Sequence, residues 1–390
     1  MFMKKEMVDL EVQLNNFYIK VFKLLLIAFL IVGCQAPKQD IIQQPKVSFV
    51  AVGDNLMHQR LLDVAKTDNG YDFTSYYTNM KPYIEKASLA FVNQETILGG
   101  DELGAKGYPN FNTPEIMAKN LKDTGFDIVN GSTNHALDMG NEALYHSIKV
   151  FDQYPEIAYI GLYDSKEKRD TIKVVEKEGI KIGFLSYNQW TNEHTLPNNF
   201  CMNLFDEERI KKDVENAKEV SDIVIVSCHW GNEYDIKPNE FQKQYAKLFA
   251  DLGVDVILGT HSHTLQSVEW IEGKDGHKTL VAYSLGNFIS GMMEEETQLG
   301  GMLSFDLVKT DNQVKIDNVT LTPLANHYQV KNKKNVYDSR YGFTVYRLKD
   351  YTDELAKNHG LNGYQGINIS IDKMKEKVKQ RVSKDIHIDM

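Results

Sequence analysis

Short apolar runs alternate with helical patterns along most of the chain. The runs with the length and β-branched content of buried strands are 47–52, 87–92, 126–129, 222–228 and 254–258. Helical patterns are found over 113–124, 141–151, 206–220 and 239–252. The first of these helices is predicted to begin at Thr113, which is followed by a proline, and to end before Gly125.

Paired strands are predicted where two apolar runs flank a turn. The segment 173–186 predicts a hairpin that turns at Glu178 and Gly179, and 269–284 predicts a second hairpin. Two further strands are expected within 301–321. Because hairpins are mixed with alternating strands and helices, we expect a mixed α/β sheet system with helices outside it, and not a purely parallel sheet.

These elements predict one large domain over residues 46–330. The remaining segment, 331–390, is charged and helix-prone, most strongly over 371–386. We expect it to be a C-terminal extension, partly helical and packed on the domain. The alternative is an arm that binds a partner.

The N-terminal segment is typical of a lipoprotein signal peptide. Lys20 and Lys23 precede the apolar run 24–32, which is shorter than the roughly 20 residues that cross a bilayer. The run ends in Ile31-Val32-Gly33-Cys34, a sequence of the lipobox type. We therefore expect residues 1–34 to be a signal peptide that ends at a lipidated Cys34. Residues 35–45 would be a polar tether, and the protein would be extracytoplasmic and anchored to the cell membrane. A soluble chain with an apolar N-terminal helix is the alternative.

Composition and charge limit the partners. The chain has 390 residues, 42% of them hydrophobic, which is enough for a large core, and its formal net charge is −10. An acidic chain lacks the basic face that phosphate backbones require, so nucleic acid is excluded as a partner. Cys34, Cys201 and Cys228 are too few and too widely spaced for a disulfide framework or a zinc–cysteine cluster.

Polar residues of metal-ligand type follow the predicted strands, near the point where each strand ends. They are Asp54, Asn93, Glu95, Asn134, His135, His229, His261 and His263. Side chains at the carboxyl ends of strands converge at one edge of an α/β sheet. Imidazole mixed with oxygen ligands suits Zn, Mn, Fe or a related divalent ion. The sequence therefore predicts a site for one or two divalent metal ions, with Mn, Zn and Fe as the alternatives.

One short motif is the strongest signal in this set. In Gly259-Thr260-His261-Ser262-His263, the His-x-His pair on a tight loop allows both imidazoles to reach one centre. A single histidine is more often a satisfied, partly buried side chain than a ligand. A metal site is favoured because residues of metal-ligand type follow several predicted strands at once.

The order of the motifs resembles that of the calcineurin-like metallophosphoesterases and, more closely, of the CapA-type capsule-biosynthesis proteins. The matching stretches lie within about residues 47–321 and are GDNLMH (53–58), NQE (93–95), STNHALDMG (132–140), HWGNEY (229–234), GTHSH (259–263) and YSLGNF (283–288). The resemblance implies a four-layer α/β/β/α sandwich of the metallo-dependent phosphatase type, with the metals at one sheet edge.

The resemblance also implies roles for individual residues. The implied metal ligands are Asp54, Glu95, Asn134, His229, His261 and His263. His135 would stand near the substrate as general acid. Further candidates for a ligand or a substrate contact are His58, Asn93, Glu233 and Asn287.

The chain departs from the general phosphoesterase pattern at two positions. The Asp-x-His of the first motif is incomplete because residue 56 is leucine, and His58 could take the place of the missing histidine. Glu95 stands where a bridging aspartate is usual, and its side chain is longer by one methylene. A two-metal site, a one-metal site and a structural ion therefore stay open as alternatives.

The resemblance implies a surface-anchored, metal-dependent hydrolase or transferase. It would act in the biosynthesis, export or attachment of a poly-γ-glutamate-like capsule polymer, although the fold alone does not set the reaction. Its partners would be that polymer or another envelope substrate, the membrane through the lipid, and subunits of a membrane synthase. The alternative is a non-catalytic polymer-binding component of such a synthase, with a structural metal. The ligand set favours the enzyme, whereas the acidic charge and the incomplete first motif favour the alternative.

Overall fold

The computed structural model of the protein describes residues 3–31, 44–192, 194–311 and 313–390. The chain divides into two compact units, Met1–Gln43 and Gln44–Met390. In the first unit, helix α1 runs over Met3–Ile31. Among the helices of these described ranges, none has the length and apolar character needed to cross a membrane. Cys34 lies outside the described residues, so its lipidation stays a prediction.

The larger unit is built on two large sheets and one small ribbon. The strands are β1 (Lys46–Asn55), β2 (Lys66–Thr67), β3 (Gly70–Tyr71), β4 (Leu89–Gln94), β5 (Ile128–Asn130), β6 (Ala158–Ile160), β7 (Lys173–Lys177), β8 (Ile180–Asn188), β9 (Ile223–His229), β10 (Val256–Thr260), β11 (Val268–Glu272), β12 (Lys278–Ala282), β13 (Asn287–Ile289), β14 (Leu299–Thr310), β15 (Gln313–Val330), β16 (Arg340–Arg347) and β17 (His387–Ile388). Strands β2 and β3 form the ribbon.

Helices connect and cover these strands. They are α2 (Gln59–Ala65), α3 (Thr74–Tyr77), α4 (Lys81–Ile84), α5 (Ile116–Thr124), α6 (Asn141–Asp152), α7 (Lys166–Asp170), α8 (Glu207–Val220), α9 (Glu240–Leu252), α10 (Val336–Ser339), α11 (Asp353–Asn358) and α12 (Ile371–Arg381). Short 3-10 helices lie at Asp101–Leu103, Lys274–Gly276, Glu296–Gln298, Leu348–Asp350 and Tyr364–Gly366.

The first sheet combines a parallel half with an antiparallel half. Its strand order is β16-β15-β14-β1-β4-β5-β6, and β13 and β17 join it beside β1 and β15. Strands β1, β4, β5 and β6 are parallel, whereas β14, β15 and β16 alternate in direction. The register aligns Asp54 with Asn93 and Asn93 with Asn130. Three neighbouring strands therefore carry polar side chains side by side at their carboxyl ends.

The second sheet has the order β11-β12-β10-β9-β8-β7. Its central strands are parallel, and the two predicted hairpins form its antiparallel edges, β7–β8 and β11–β12. The register aligns Asn188 with His229 and His229 with Thr260. This sheet therefore also carries polar side chains at its carboxyl edge.

Alternation along β9 shows how the layers are stacked. Ile223 and Ile225 belong to the core that contains the first sheet, whereas Val224 and Val226 pack in a separate core with residues of α8 and α9. Successive side chains of a strand point to opposite faces, so the second sheet lies between the first sheet and these helices. Residues of α2, α3 and α5 pack in the core of the first sheet. The predicted four-layer α/β/β/α sandwich is confirmed.

The structure corrects the predicted boundary at residue 330. Strand β16 lies beyond it and pairs with β15, and β17 pairs with β15 from the end of the chain. Residues 331–390 therefore supply two strands to the first sheet and are not an extension added to a finished domain. The helix expected over 371–386 ends at Arg381, after which the chain enters β17.

Candidate metal centre

Two glycines allow strand ends to approach a neighbouring loop closely. A Cβ atom on Gly53 would lie 1.8 Å from the Gly286 carbonyl oxygen, and one on Gly259 would lie 2.0 Å from the Tyr283 carbonyl oxygen. Any side chain at these positions would clash with the backbone. The close approach lets Asp54 N donate to Gly286 O over 2.9 Å, which places Asp54 at the edge where both sheets end.

The structure brings predicted ligands together at this edge. One ligand atom from each of Glu95, His261 and His263 lies within 4.8 Å of the others, and the same is true of Asp54, Glu95 and His229. Glu95 belongs to both groups. All five side chains are buried, each with at most 1% of its surface exposed. We call these five residues the metal cluster.

Histidines from the second sheet face carboxylates from the first. His263 Nδ1 lies 3.1 Å from Asp54 Oδ2, and His263 Nε2 lies 3.5 Å from Glu95 Oε1. His229 Nε2 lies 3.9 Å from the same Glu95 oxygen and 2.8 Å from Asn134 Oδ1. Asn134, a predicted ligand, therefore presents its oxygen beside the metal cluster.

Unpartnered buried atoms test whether a metal ion fits. Within the described residues, both carboxylate oxygens of Glu95 and Nε2 of His261 have no hydrogen-bond partner. Leaving a buried polar atom unpaired costs about 1–3 kcal/mol, and more for a charged group. His261 Nδ1 also lies 3.2 Å from His229 Nε2. Imidazole nitrogens and carboxylate oxygens that converge in this way suit a divalent cation, so the residues present fit the predicted ion.

The electrostatics of the metal cluster agree with this fit. Burial and the neighbouring Asp54 carboxylate raise the pKa of Glu95 well above its ordinary value. Burial and neighbouring histidines lower the pKa of both His229 and His261. The imidazoles are therefore in the neutral form that metal ligation requires, and a cation would offset the repulsion between the two carboxylates.

A hydrogen-bond chain crosses from the second sheet to the first and ends on Asp54. Ser186 Oγ donates to Asn130 Oδ1 over 2.6 Å, and Asn130 Nδ2 donates to Asn93 Oδ1 over 2.7 Å. Asn93 Nδ2 then donates to Asp54 Oδ1 over 2.8 Å. Each amide is oriented by the previous donor, so Asp54 Oδ2 is left to face His263. Asn93 therefore positions a ligand in this structure.

A second short chain orients His229. Its Nδ1 lies 2.9 Å from Thr260 Oγ1, and Thr260 Oγ1 donates to the Cys228 carbonyl oxygen over 3.4 Å. A metal ion on Nε2 of His229 would require the ring proton to be on Nδ1, and Thr260 Oγ1 is placed to accept that proton.

His261 and His263 lie on the loop after β10 in the left-handed backbone region. Their φ angles are 90° and 59°. A non-glycine residue in this region costs on the order of 1 kcal/mol. Glycine would relieve that strain but carries no imidazole, so the strain indicates that both side chains are needed where they stand.

His135, the predicted general acid, lies beside the metal cluster. Its Nδ1 is 2.7 Å from Asp138 Oδ2 and 3.3 Å from Asn192 Nδ2. Asp138 also accepts from Phe111 N over 2.8 Å, and the Phe111 ring packs edge-on to the imidazole at 4.7 Å. Because Asp138 engages Nδ1, Nε2 is the nitrogen left for a substrate.

Three other candidates lie outside both groups of ligand atoms. His58 Nδ1 accepts from Gly291 N over 3.2 Å, and Asn287 Nδ2 donates to the Thr297 carbonyl oxygen over 3.3 Å. Glu233 is exposed in the cleft described below. His58 therefore lines that cleft and belongs to neither group of ligand atoms.

Sequence reasoning missed residues on the loop after β8. The Trp190 ring packs edge-on to His261 at 4.5 Å, and Asn192 Oδ1 accepts from Asn134 Nδ2 over 3.1 Å. The strand was predicted to end at 186, as one arm of a hairpin. Had β8 been included among the parallel strands, the same strand-end rule would have selected this loop.

A cleft of about 550 Å³ opens beside the metal cluster and includes His135 and His263 in its lining. Tyr337, Tyr364 and Ile367, all from the C-terminal segment, form part of its wall. The part of the chain beyond residue 330 therefore contributes to the surroundings of the site as well as to the sheet.

The chain is similar to several known proteins. The structure resembles that of the calcineurin-like phosphoesterase YfkN from Bacillus subtilis, with a TM-score of 0.43 and 15% identity, over 72% of this chain and 90% of that one. The sequence is 29% identical over 294 residues to the PGA biosynthesis protein CapA of Bacillus subtilis (strain 168), covering 73% of this chain and 74% of that protein.

Capsule proteins recur in the other matches. The chain is 26% identical over 280 residues to the capsule biosynthesis protein CapA of Bacillus anthracis, covering 68% of this chain and 65% of that protein, which is just under two thirds. Residues 48–292, well over half of the chain, match the family described as bacterial capsule synthesis protein PGA_cap. This chain therefore belongs to the PGA_cap family of bacterial capsule synthesis proteins.

Proposed function

We propose that this protein is a surface-anchored, metal-dependent hydrolase or transferase that acts on a capsule polymer during its biosynthesis, export or attachment. The observation that carries the reaction class is the buried Glu95 carboxylate, whose two oxygens are unpartnered in the described structure and lie among Asp54 and the imidazoles. One or two divalent ions, Mn, Zn or Fe, would be held by the metal cluster together with Asn134. Such an ion supplies Lewis acidity and acidifies water.

The proton-transfer role falls to His135. Asp138 holds its Nδ1 at 2.7 Å, so Nε2 is available to give a proton to the leaving group. General acid catalysis of this kind contributes roughly 10²- to 10⁴-fold in rate. His135 Nε2 needs a substrate within reach, and the cleft that His135 lines is where that substrate would lie.

The proposed substrate is a poly-γ-glutamate-like polymer. The curated relatives are named for PGA and capsule biosynthesis, and we extend that polymer class to this chain. The bonds of such a chain are amides, so the proposed reaction is hydrolysis at an amide or transfer of its acyl group.

The proposed location is the outer face of the cell membrane. Support comes from the apolar run that ends at Cys34 and from the polar tether of residues 35–45. A lipid on Cys34 would hold the domain near the membrane subunits of a polymer synthase. Cell fractionation of Cys34→Ala tests this, since the variant is expected to leave the membrane fraction or to keep its signal peptide. Membrane association and mature mass identical to those of the wild type would contradict the anchor.

One experiment tests the reaction class. The purified domain, loaded with Mn, Zn or Fe in turn, is assayed with a γ-glutamyl oligomer and with a phosphodiester, and its metal content is measured in parallel. We expect cleavage or transfer of the oligomer that requires the metal and disappears with a chelator. Metal-independent activity, or metal binding without turnover of either substrate, would count against the proposal.

A specific observation supports a second candidate function. Leu56, at the position of the first-motif histidine, is 2% exposed and packs with Phe111 and Met292, so it removes a ligand from the site. A protein with fewer ligands could hold a structural ion and bind the polymer without reacting with it. Metal-dependent thermal stability, together with polymer binding and no turnover, would favour this non-catalytic component of a synthase.

A further inference from the structure

We propose that the cleft beside the metal cluster binds an amine-bearing, positively charged group, and that the C-terminal segment supplies a wall that selects it. The inference rests on the proposed function only in taking this cleft as the place where the reacting polymer lies. Binding of the amine can be measured without any reaction.

Exposed aromatic rings line the mouth of the cleft. Tyr108, Tyr234 and Tyr337 are exposed by 76%, 46% and 57%, and Tyr364 stands in the same lining. Large rings left open to water around a concave surface are typical of a binding site. Their negatively polarised faces attract cations.

Two carboxylates add negative charge to these rings. Glu233 and Glu294 line the cleft, and neither forms an ion pair with a Lys, Arg or His side chain in the part of the chain that the structure describes. Burial, and then the charge of these two carboxylates, raises the pKa of Tyr234 to about 12. The described lining includes no lysine and no arginine. The part of the cleft that these tyrosines and carboxylates form is therefore complementary to a cation.

A buried basic residue, Arg340, packs against this wall. It is 1% exposed, its guanidinium donates to the Gly291 and Tyr337 carbonyl oxygens, and it packs over the Tyr337 ring at 4.7 Å. Gly291 belongs to the loop that contacts His58, and Tyr337 belongs to the C-terminal segment. Arg340 therefore links the loop that contains Gly291 to the C-terminal segment, and both line the cleft.

An amine site fits the proposed reaction class. When an amide is hydrolysed, the C–N bond breaks, and the nitrogen gains a proton and leaves as an amine. When the acyl group is transferred, a second amine forms the new C–N bond and loses a proton. In either case an amine must occupy a place next to the metal cluster.

Titration calorimetry on the metal-loaded protein tests the inference with two probes, a capped trilysine peptide and a γ-glutamyl trimer. We expect trilysine to bind, more weakly as salt is raised, and the glutamyl trimer to bind at least about tenfold more weakly. The double variant Glu233→Gln/Glu294→Gln should weaken trilysine binding about tenfold, and Tyr337→Ala should weaken it by a similar factor. The metal content should be unchanged in both.

The matched control is Glu207→Gln/Glu219→Gln, which removes the same charge from exposed positions of α8. Equal weakening in the control and in the cleft variant, or tighter binding of the glutamyl trimer than of trilysine, would overturn the inference. A protein that binds metal but not trilysine would also overturn it while leaving the proposed function intact. A protein that binds trilysine in the cleft but no metal would support the inference and remove the proposed function.

Discussion

The metal cluster and the cleft share His263, but they are built in different ways. The cluster is buried, a hydrogen-bond chain that crosses two sheets holds its Asp54, and all its residues lie within the segment that matches the PGA_cap family. The cleft is open, is lined by exposed tyrosines, and takes Tyr337 and Tyr364 from outside that segment. The segment that matches the family therefore holds the whole metal cluster, whereas the C-terminal segment contributes part of the cleft wall.

Removing two imidazoles is expected to have the largest effect on the cluster side of this comparison. His261→Ala/His263→Ala should abolish tight metal binding, because it removes two of the ligand atoms that converge on Glu95. Elemental analysis of the purified proteins checks this, with the exposed His387→Ala as control. Equal metal content in the wild type and the double variant would show that the metal is bound elsewhere.

Replacing His135 tests a residue that lines the cleft beside the metal cluster. His135→Ala should lower turnover by roughly 10²- to 10⁴-fold and leave the metal content unchanged, because the imidazole lies outside both groups of ligand atoms. The dependence on His135 should shrink for substrates with good leaving groups, which need no proton. Loss of metal and thermal stability together with activity would instead mean that His135 only holds the Asn134 loop.

Sequence reasoning recovered the cluster more fully than the cleft, for a physical reason. Asp54, His229 and His263 each lie at or just after the end of a strand. Parallel strands bring their carboxyl ends to one edge, so local patterns sufficed to collect these residues. Tyr337 and Tyr364 follow no such rule. Their place depends on β16 pairing with β15 and on the chain returning to β17, which are long-range contacts with no local signal.

The stacking of the layers could also be predicted, but the hydrogen bonds between side chains of the two sheets could not. The mixture of hairpins with alternating strands and helices predicted a mixed sheet system with helices outside it, and the resemblance to known motifs predicted the four-layer stacking. The bond from Ser186 to Asn130 joins residues 56 positions apart in different sheets. Serine and asparagine at strand ends are common, so nothing in either residue marks it as an orienting group until the sheets are placed together.

That bond gives a milder test of the cluster. Ser186→Ala should weaken metal affinity by about 10- to 100-fold, because Asn130 and then Asn93 lose the donor that orients them toward Asp54. Ser227→Ala is a matched control, since Ser227 is also buried in the second sheet and its hydroxyl has no partner in the described structure. Metal titration of both variants measures these affinities. Equal affinities would mean that Asp54 is held in place without the hydrogen-bond chain from Ser186.

The smallest expected effect is that of acidic pH on the stability of the cleft wall. His327 and His359 pack together under the C-terminal segment, with ring centroids 5.4 Å apart, and His327 Nδ1 lies 2.8 Å from Tyr351 Oη. Burial lowers the pKa of His327 to about 4, and burial and His327 lower that of His359 to about 3. Below the unfolded value of about 6.5, the unfolded state binds more protons than the folded state. Stability should therefore fall as the pH drops from 6.5 to about 4, by at most about 1.4 kcal/mol per pH unit for each histidine.

This loss of stability should appear first in the cleft wall that the C-terminal segment forms. Hydrogen exchange of the metal-free protein at pH 7 and pH 5 should show residues 337–367 opening more at the lower pH. His327→Gln, which cannot acquire a charge there, should flatten the pH dependence even if it lowers stability at pH 7. The exposed His387→Gln should keep the wild-type slope. A slope unchanged by His327→Gln would show that His327 does not make the wall sensitive to acid.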